Sequence, residues 1–290
     1  MIHGIVFDCD GTLADTMPLH WQAWRVVSER HGIHFTEERF YSLGGVPSRD
    51  ILKMLAQEQG RSFDHIAVAH EKEEAYLPLM AEVEPIHAVV ESVPLLEVTV
   101  IPVGAGQAAA ARNAAAEGAR GEILAFLDDD DVWRPDHLAA LVAAFRDPEV
   151  GFAWRDSEVI REVVRDDGTR ESRESRVLAR DWDDRLMRSD DYLPPSAWAV
   201  RRSVFEALGG FDTTFRYSED WDFVLRAAAV TRVQRVPGVT VEVRLRDVGN
   251  TSADLTPERL ACLQRLAERH GFATPPPKTF WEVACTVGAA

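Results

Sequence analysis

Cysteine, lysine and long apolar runs are what this chain has least of. Cys9, Cys262 and Cys285 are odd in number, far apart and in no metal-ligand spacing, which argues against a disulfide framework and for a reducing compartment. No stretch approaches the apolar length of a membrane span. The amino terminus enters a short apolar strand, His3 to Phe7, without the basic and long apolar regions of a signal peptide. The expectation is a cytoplasmic protein with no integral membrane segment, any membrane association being peripheral. Positive charge is also short: Lys and Arg total 32 against 48 Asp and Glu, a formal net charge of -16. A surface of that sign repels phosphate, so nucleic acid is excluded as the main partner and a phosphate-bearing substrate needs a cation.

With 290 residues, 46% of them hydrophobic, the chain can bury one large core or two modest ones, and its composition does not suggest disorder. Its pattern changes part-way. An apolar strand ending in Asp8 is followed by helical segments near 17 to 31, 36 to 42, 48 to 59 and 64 to 81. Pro94 marks a seam before a strand at Glu97 to Pro102. Alternating units follow: a Gly-rich turn at Gly104 to Gly106, helix 107 to 119, strand Glu122 to Leu127, and helix Pro135 to Phe145. Phe152 to Ile160 reads as a strand and 161 to 176 as a charged loop or hairpin. A strand runs into a helix over 197 to 208, Glu219 to Ala229 is helical, and Val233 to Leu245 is strand-like around Pro237-Gly238. Helix Pro257 to His270 precedes a stiff tail at Pro275 to Pro277.

Asp8-Cys9-Asp10-Gly11-Thr12-Leu13 sets two carboxylates at a strand's carboxyl end, one residue apart on a turn that Gly11 permits. One carboxylate can attack phosphorus while the other exchanges a proton with the leaving oxygen, Mg²⁺ offsetting the charge; an acidic strand-end loop is the plain alternative. The run on through Asp15-Thr16-Met17-Pro18-Leu19-His20 to Trp24, with Gly44-Gly45-Val46-Pro47-Ser48-Arg49 and Glu82-Val83-Glu84-Pro85-Ile86, resembles the haloacid dehalogenase branch of β-phosphoglucomutase and fructose-1-phosphatase-like enzymes. That resemblance implies Asp8 as nucleophile, Asp10 as general acid/base and Arg49 as a cap residue near a sugar phosphate. It ends near residue 91. Of the family's later parts, the Lys has no counterpart, since Lys53 and Lys72 lie in the helical block and Lys278 in the tail, and Asp128 to Asp131 are the one candidate for the acidic pair.

A second constellation is denser. The apolar strand Ile123 to Leu127 delivers four successive aspartates, Asp128 to Asp131, whose mutual repulsion a divalent cation relieves; a solvated acidic loop is the alternative. Gly106 to Ala108, Arg112-Asn113-Ala114, Ala119 to Glu122, and Phe126 to Trp133 resemble glycosyltransferase family 2 of the GT-A fold. So do Arg202 to Phe205, Leu208-Gly209-Gly210-Phe211-Asp212 and Ser218-Glu219-Asp220-Trp221-Asp222-Phe223 with Arg226, in that family's order. The resemblance implies that Asp128, Asp130 and Asp131 form the metal and sugar-nucleotide motif, with Mn²⁺ or Mg²⁺ as the ion. It implies Asp220 as the base, with Glu219 second, and inversion at the anomeric carbon. Glu219-Asp220 is equally a helix amino-terminal acid pair favoured by the helix dipole. Arg112 and Asn113 face the diphosphate or serve as packing and capping groups. Trp154, Trp182, Trp198 and Trp221 could stack on sugars, though partly buried core is the commoner fate.

The expected fold is therefore α/β: a partial dehalogenase-like strand and helical cap over 1–93, then a partial GT-A, Rossmann-like mixed sheet with flanking helices over 94–290. The first nucleotide-gripping strands of the latter are missing. The pieces are a fusion of partial domains, natural or artificial, or one sheet in which His3 to Asp8 substitutes for the lost first strand. The leading function is inverting, metal-dependent transfer from a nucleotide-sugar donor to a sugar, glycan or lipid acceptor. The alternatives are a Mg²⁺-dependent sugar-phosphate phosphatase or phosphomutase using Asp8 and Asp10, and a non-catalytic fusion.

Overall fold

The computed structural model describes residues 6–7, 14–43, 46–82, 84–85, 108–128, 130–164, 170–246 and 256–288. Helix α1 (Met17–His31) starts with Pro18 in its first turn, where no amide partner is lost, and stops at Gly32, whose φ of 61° terminates it in the left-handed region. Its buried residues Leu19, Ala23, Trp24 and Val27 recur at helical spacing on one face. Helix α2 (Glu37–Ser42) is capped by the Thr36 hydroxyl, which accepts from Arg39 N, and α4 (His65–Tyr76) by Asp64, which accepts from Ile66 and Ala67 N. Between them, α3 (Ser48–Glu58) turns Ile51, Leu52 and Leu55 onto Trp24, Val27, Phe35, Phe40 and Val68, giving the helical block its own core. A 3₁₀ turn, Leu77–Glu82, ends it. The chain entering the block and the chain leaving it pair with each other: β2 (Ala14–Asp15) runs antiparallel to β3 (Glu84–Pro85), with Ala14 opposite Pro85.

The main sheet is mixed. Its strands are β1 (Val6–Phe7), β4 (Ile123–Leu127), β5 (Val132–Trp133), β6 (Val150–Val164), β7 (Arg170–Leu178), β8 (Trp198–Arg201) and β9 (Arg232–Arg246), in the order β1-β4-β8-β6-β9-β5 with β7 also on β6. β1 lies parallel to β4, Phe7 opposite Leu127, so the first strand of the chain extends the later sheet. That is the one-sheet arrangement among those the sequence left open. β6 pairs antiparallel with β8 and β7 and parallel with β9.

Side-chain alternation sorts the central strands into two faces. Leu124 and Phe126, Phe152 and Trp154, Trp198 and Val200 enter one core, whereas Ala125, Ala153 and Ala199 enter the other. The alanine face admits α6 (His137–Ala144) through Leu141 and Ala144. The bulky face builds an aromatic core with α7 (Arg202–Ala207) and α8 (Glu219–Val230), in which Trp198 stacks on Phe223 at 5.5 Å between ring centroids. Helices α5 (Ala108–Gly118), α9 (Pro257–His270) and α10 (Phe280–Val287) complete this layer.

Most element bounds agree with the sequence reading to within one or two residues. Three features differ. Of the loop or hairpin left open at 161–176, the hairpin is what forms: β6 continues to Val164 and pairs antiparallel with β7 from Arg170, so the difference is only in how far the strands extend. β9 passes through Pro237-Gly238 unbroken, the irregularity being absorbed as register shifts at Arg155, Asp156 and Ser157. The proline run leads into α10, which a Thr279–Glu282 capping box initiates. The expected strand at 97–102 lies outside the described residues.

Candidate functional site

The bulky face of β4, buried between β1 and β8, fixes the strand, so its carboxyl end delivers Asp128 at a set place. A turn follows, closed by Asp131 N donating to Asp128 O at 3.2 Å. Asp128 N donates to Ser196 Oγ at 3.0 Å, and Trp133 Nε1 donates to Ser196 O at 2.6 Å. From β9, the backbone N–H of Arg244 reaches Asp131 Oδ1 at 3.3 Å.

The acid pair opens α8. Ser218 precedes it with φ 63°, a left-handed conformation that non-glycine residues adopt at a cost of roughly 1 kcal/mol. Trp221 locks the first turn by donating Nε1 to Met187 O at 2.7 Å. Glu219 is buried and Asp220 half-buried.

Arg112 on α5 joins these two acidic segments. Its Nη2 donates to Asp128 Oδ1 at 2.6 Å and its Nη1 to Glu219 Oε1 at 2.9 Å. Burial works against its charge, but Asp128 and Glu219 outweigh it and hold the guanidinium protonated above its ordinary range. The carboxyls respond in the opposite sense. Burial, then Asp220, pushes Glu219 up to about 7 despite Arg112, and burial also raises Asp220 against the pull of Arg112. Burial, then Asp128 and Asp130, lifts Asp131 well above the usual carboxylate range, with Ser196 and the Arg244 amide opposing. Carboxylate charge here exceeds what Arg112 offsets.

Asp191, which the sequence reading did not single out, belongs to the same cluster. Burial and then Asp220 raise its carboxyl well above the ordinary range, while Leu193 N donates to its Oδ1 at 3.2 Å. It sits in an irregular stretch with no motif spacing. Ser196 was missed for the same reason.

The other expected residues separate from this cluster. Asn113 clamps a turn: its Nδ2 donates to Phe211 O and its Oδ1 accepts from Phe211 N, both at 2.8 Å, the packing role that the sequence left open. Arg49 lies in the first turn of α3 beside Asp50, within the helical block. Asp8 and Asp10 lie outside the described residues, as do Asp129 and residues 247–255. Trp154, Trp198 and Trp221 are buried core, at 2%, 0% and 6% exposure, which leaves them no sugar-facing surface.

Among the described residues no group of three or more His, Cys, Asp or Glu side chains is gathered closely enough to hold a metal ion. The turn offers carboxylate oxygens, the donor type of a hard divalent cation, and burial with Asp128 and Asp130 disfavours the charged form of Asp131. Asp128, Asp130 and Asp131, which the resemblance implied as the metal motif, do not form such a group.

Residues 84–209 match the family model of glycosyl transferase family 2, and residues 5–104 match that of haloacid dehalogenase-like hydrolase. The uncharacterized glycosyltransferase YwdF of Bacillus subtilis is 36% identical over 172 residues, 59% of this chain and 63% of that protein. The fructose-1-phosphate phosphatase YqaB of Escherichia coli is 34% identical over 84 residues, 29% of this chain and 45% of that protein. The crystal structure of residues 1–349 of S. aureus TarS in complex with UDP-GlcNAc superposes with a TM-score of 0.46 at 17% identity, over 62% of this chain and 52% of that one. The chain spans less than two thirds of each of these relatives. It thus combines a dehalogenase-like stretch with a glycosyltransferase-like one, as its motifs implied.

Proposed function

We propose that this protein is an inverting, metal-dependent glycosyltransferase that moves a sugar from a nucleotide-sugar donor to a hydroxyl acceptor. The observation that carries the reading is the Arg112 bridge, which draws the Asp128 turn and the Glu219-Asp220 helix start into one buried, carboxylate-rich site. The likeness of residues 84–209 to glycosyl transferase family 2 supports it.

In this reading Asp220 accepts the acceptor hydroxyl's proton as that oxygen attacks the anomeric carbon. The bond from that carbon to the diphosphate oxygen breaks with its electron pair going to the leaving group, and configuration inverts. A raised carboxyl makes a better base once ionised, which suits Asp220. Glu219, standing near 7, holds a proton under conditions in which an exposed glutamate does not, and Arg112 fixes it against Asp128. We further propose residues 1–93 as the dehalogenase-like part and 94–290 as the glycosyltransferase-like part.

Melting temperature with UDP- or GDP-sugars and Mn²⁺ tests the donor site: a rise is expected in the wild type and none in Asp130→Ala. Asp220→Asn should keep that rise while turnover falls by about 10²–10⁴-fold, the usual worth of a general base. A wild type indifferent to every nucleotide sugar would sink the proposal.

The second reading, phosphoryl transfer by Asp8 and Asp10, draws support from the haloacid dehalogenase-like match over 5–104. Phosphate release from a sugar-phosphate panel, lost in Asp8→Asn, would favour it, and a panel without turnover removes it.

A further inference from the structure

The acid pair is held in place from α9, a helix beyond the glycosyl transferase match, which ends at residue 209. The chain from Asp212 to Asp222 makes a loop and then the first turn of α8, with Ser218, Glu219 and Asp220 between. Arg269 closes the neck of that loop. Its Nη2 donates to Asp212 Oδ2 at 2.6 Å and its Nη1 to Asp222 Oδ1 at 3.1 Å, so one guanidinium holds both ends. The rigid fork sets the separation of the two carboxylates as well as their contact.

The interior of the loop is gripped from the same helix face, since Arg265 stands one turn before Arg269. Phe215 is buried at 2% exposure, and the guanidiniums of Arg265 and Arg269 lie 5.2 Å and 5.0 Å from its ring centroid. Arg265 Nη1 also donates to Thr214 O at 2.7 Å. The other oxygen of Asp212 faces inward and accepts from Thr214 N at 2.9 Å and Thr214 Oγ1 at 2.7 Å. This grip ends at Ser218, whose φ of 63° is a conformation that a non-glycine residue keeps only where its surroundings over-determine it.

We propose that Arg269 is a positioning residue for the acid pair: by closing the neck between Asp212 and Asp222 it keeps Ser218 in its left-handed turn and so aims Asp220 at the reacting hydroxyl. The role rests on the transferase reading, in which Arg269 touches neither donor nor acceptor. Releasing the neck lets Ser218 relax, which turns the start of α8 and displaces Asp220. The Asp128 turn follows a different strand and keeps its place, so the loss falls on kcat and not on the donor's KM.

The test is hydrolysis of UDP- and GDP-sugars, with water as the acceptor, measured well below the melting temperature of each variant. Arg269→Ala should lower kcat by about 10–10²-fold, the effect of a displaced reacting group, with the donor's KM within about twofold of wild type. Arg226 and His270 still hold Asp222 in that variant, so α8 keeps two anchors. Arg269→Lys, which keeps the charge but not the fork, should lose nearly as much. Asp212→Asn removes only the outer end of the bridge and should lower kcat in the same direction. Combined with Arg269→Ala it should add nothing further, because both changes open one neck. Leu141→Ala, a core truncation on the other face of the sheet, is the destabilised control whose kcat stays at the wild-type value. Arg269 and Asp212 variants that melt earlier but keep wild-type kcat overturn the assignment and leave the transferase reading standing. A wild type that releases neither UDP nor GDP from any donor overturns both.

Discussion

Arg112 Nη2 donates to Asp128 Oδ1 across 2.6 Å, and the same guanidinium reaches Glu219 from its other nitrogen. A guanidinium can span two carboxylates in a fixed fork in a way that an ammonium cannot. Arg112→Lys should therefore behave nearly as badly as Arg112→Ala. Breaking a buried charge pair costs about 3–5 kcal/mol, so both variants should lose the donor-induced rise in melting temperature and about 10²-fold or more in kcat/KM. An Arg112→Lys enzyme with wild-type kinetics would show that the fork has no role.

Glu219 sets a pH dependence of stability. Its carboxyl stands at about 7 in the folded protein against an ordinary 4.5, raised by burial and then by Asp220. Between those values the folded chain binds the proton more tightly than the unfolded chain, so stability falls as pH rises through this window. The full effect is of order 3 kcal/mol. Urea denaturation from pH 4.5 to 8 should show this decline in the wild type and a flatter profile in Glu219→Gln. Parallel curves would remove Glu219 as the source.

Asp222 acts with the opposite sign. It is fully buried and accepts from Arg226 Nε at 2.7 Å and Arg269 Nη1 at 3.1 Å, with His270 Nε2 at 2.9 Å, pinning α8 to α9. Burial pushes its carboxyl up, but these partners prevail and hold it below the ordinary 3.8. Its stabilisation is present above that value and is lost as pH falls through the lowered folded value. Asp222→Ala takes from Arg226 its carboxylate partner and leaves Arg269 only Asp212, and a loss of about 3–5 kcal/mol is expected in denaturant titration.

Separating the chain at residue 93 should weaken the later part. β4 would lose its parallel partner β1, exposing an edge beside the acidic turn. Expressed alone, 94–290 should melt roughly 4 °C below the intact chain, the shift that about 1–2 kcal/mol produces in a domain of that size. Equal melting temperatures would mean that β1 contributes nothing to the sheet.

Much of this was readable from the residues. The apolar run Ile123 to Leu127 ahead of four aspartates marks a strand-end acidic site, and Ser218-Glu219-Asp220 marks a helix start; both stand where expected. Their union through Arg112 was not readable, because an arginine on an Ala-rich helix carries no sign of what it faces across about a hundred residues. Ser196 and Asp191 lie in irregular backbone, where neither period nor spacing distinguishes them. β7 was left open between loop and hairpin, because its run of Arg, Glu and Ser shows no apolar face. Helix α10 did leave a signal, the Thr279 and Glu282 pair three residues apart, which the preceding prolines obscured.

The pairing of Ala14 with Pro85 has an architectural consequence. Antiparallel partners sit about 5 Å apart, so the helical block departs from and returns to nearly the same point, like a bead on a closed clasp. Such an insert can be shortened, enlarged or exchanged for a brief turn without stretching the chain on either side. Whatever chemistry the sheet performs, the bead is free to change by a separate history.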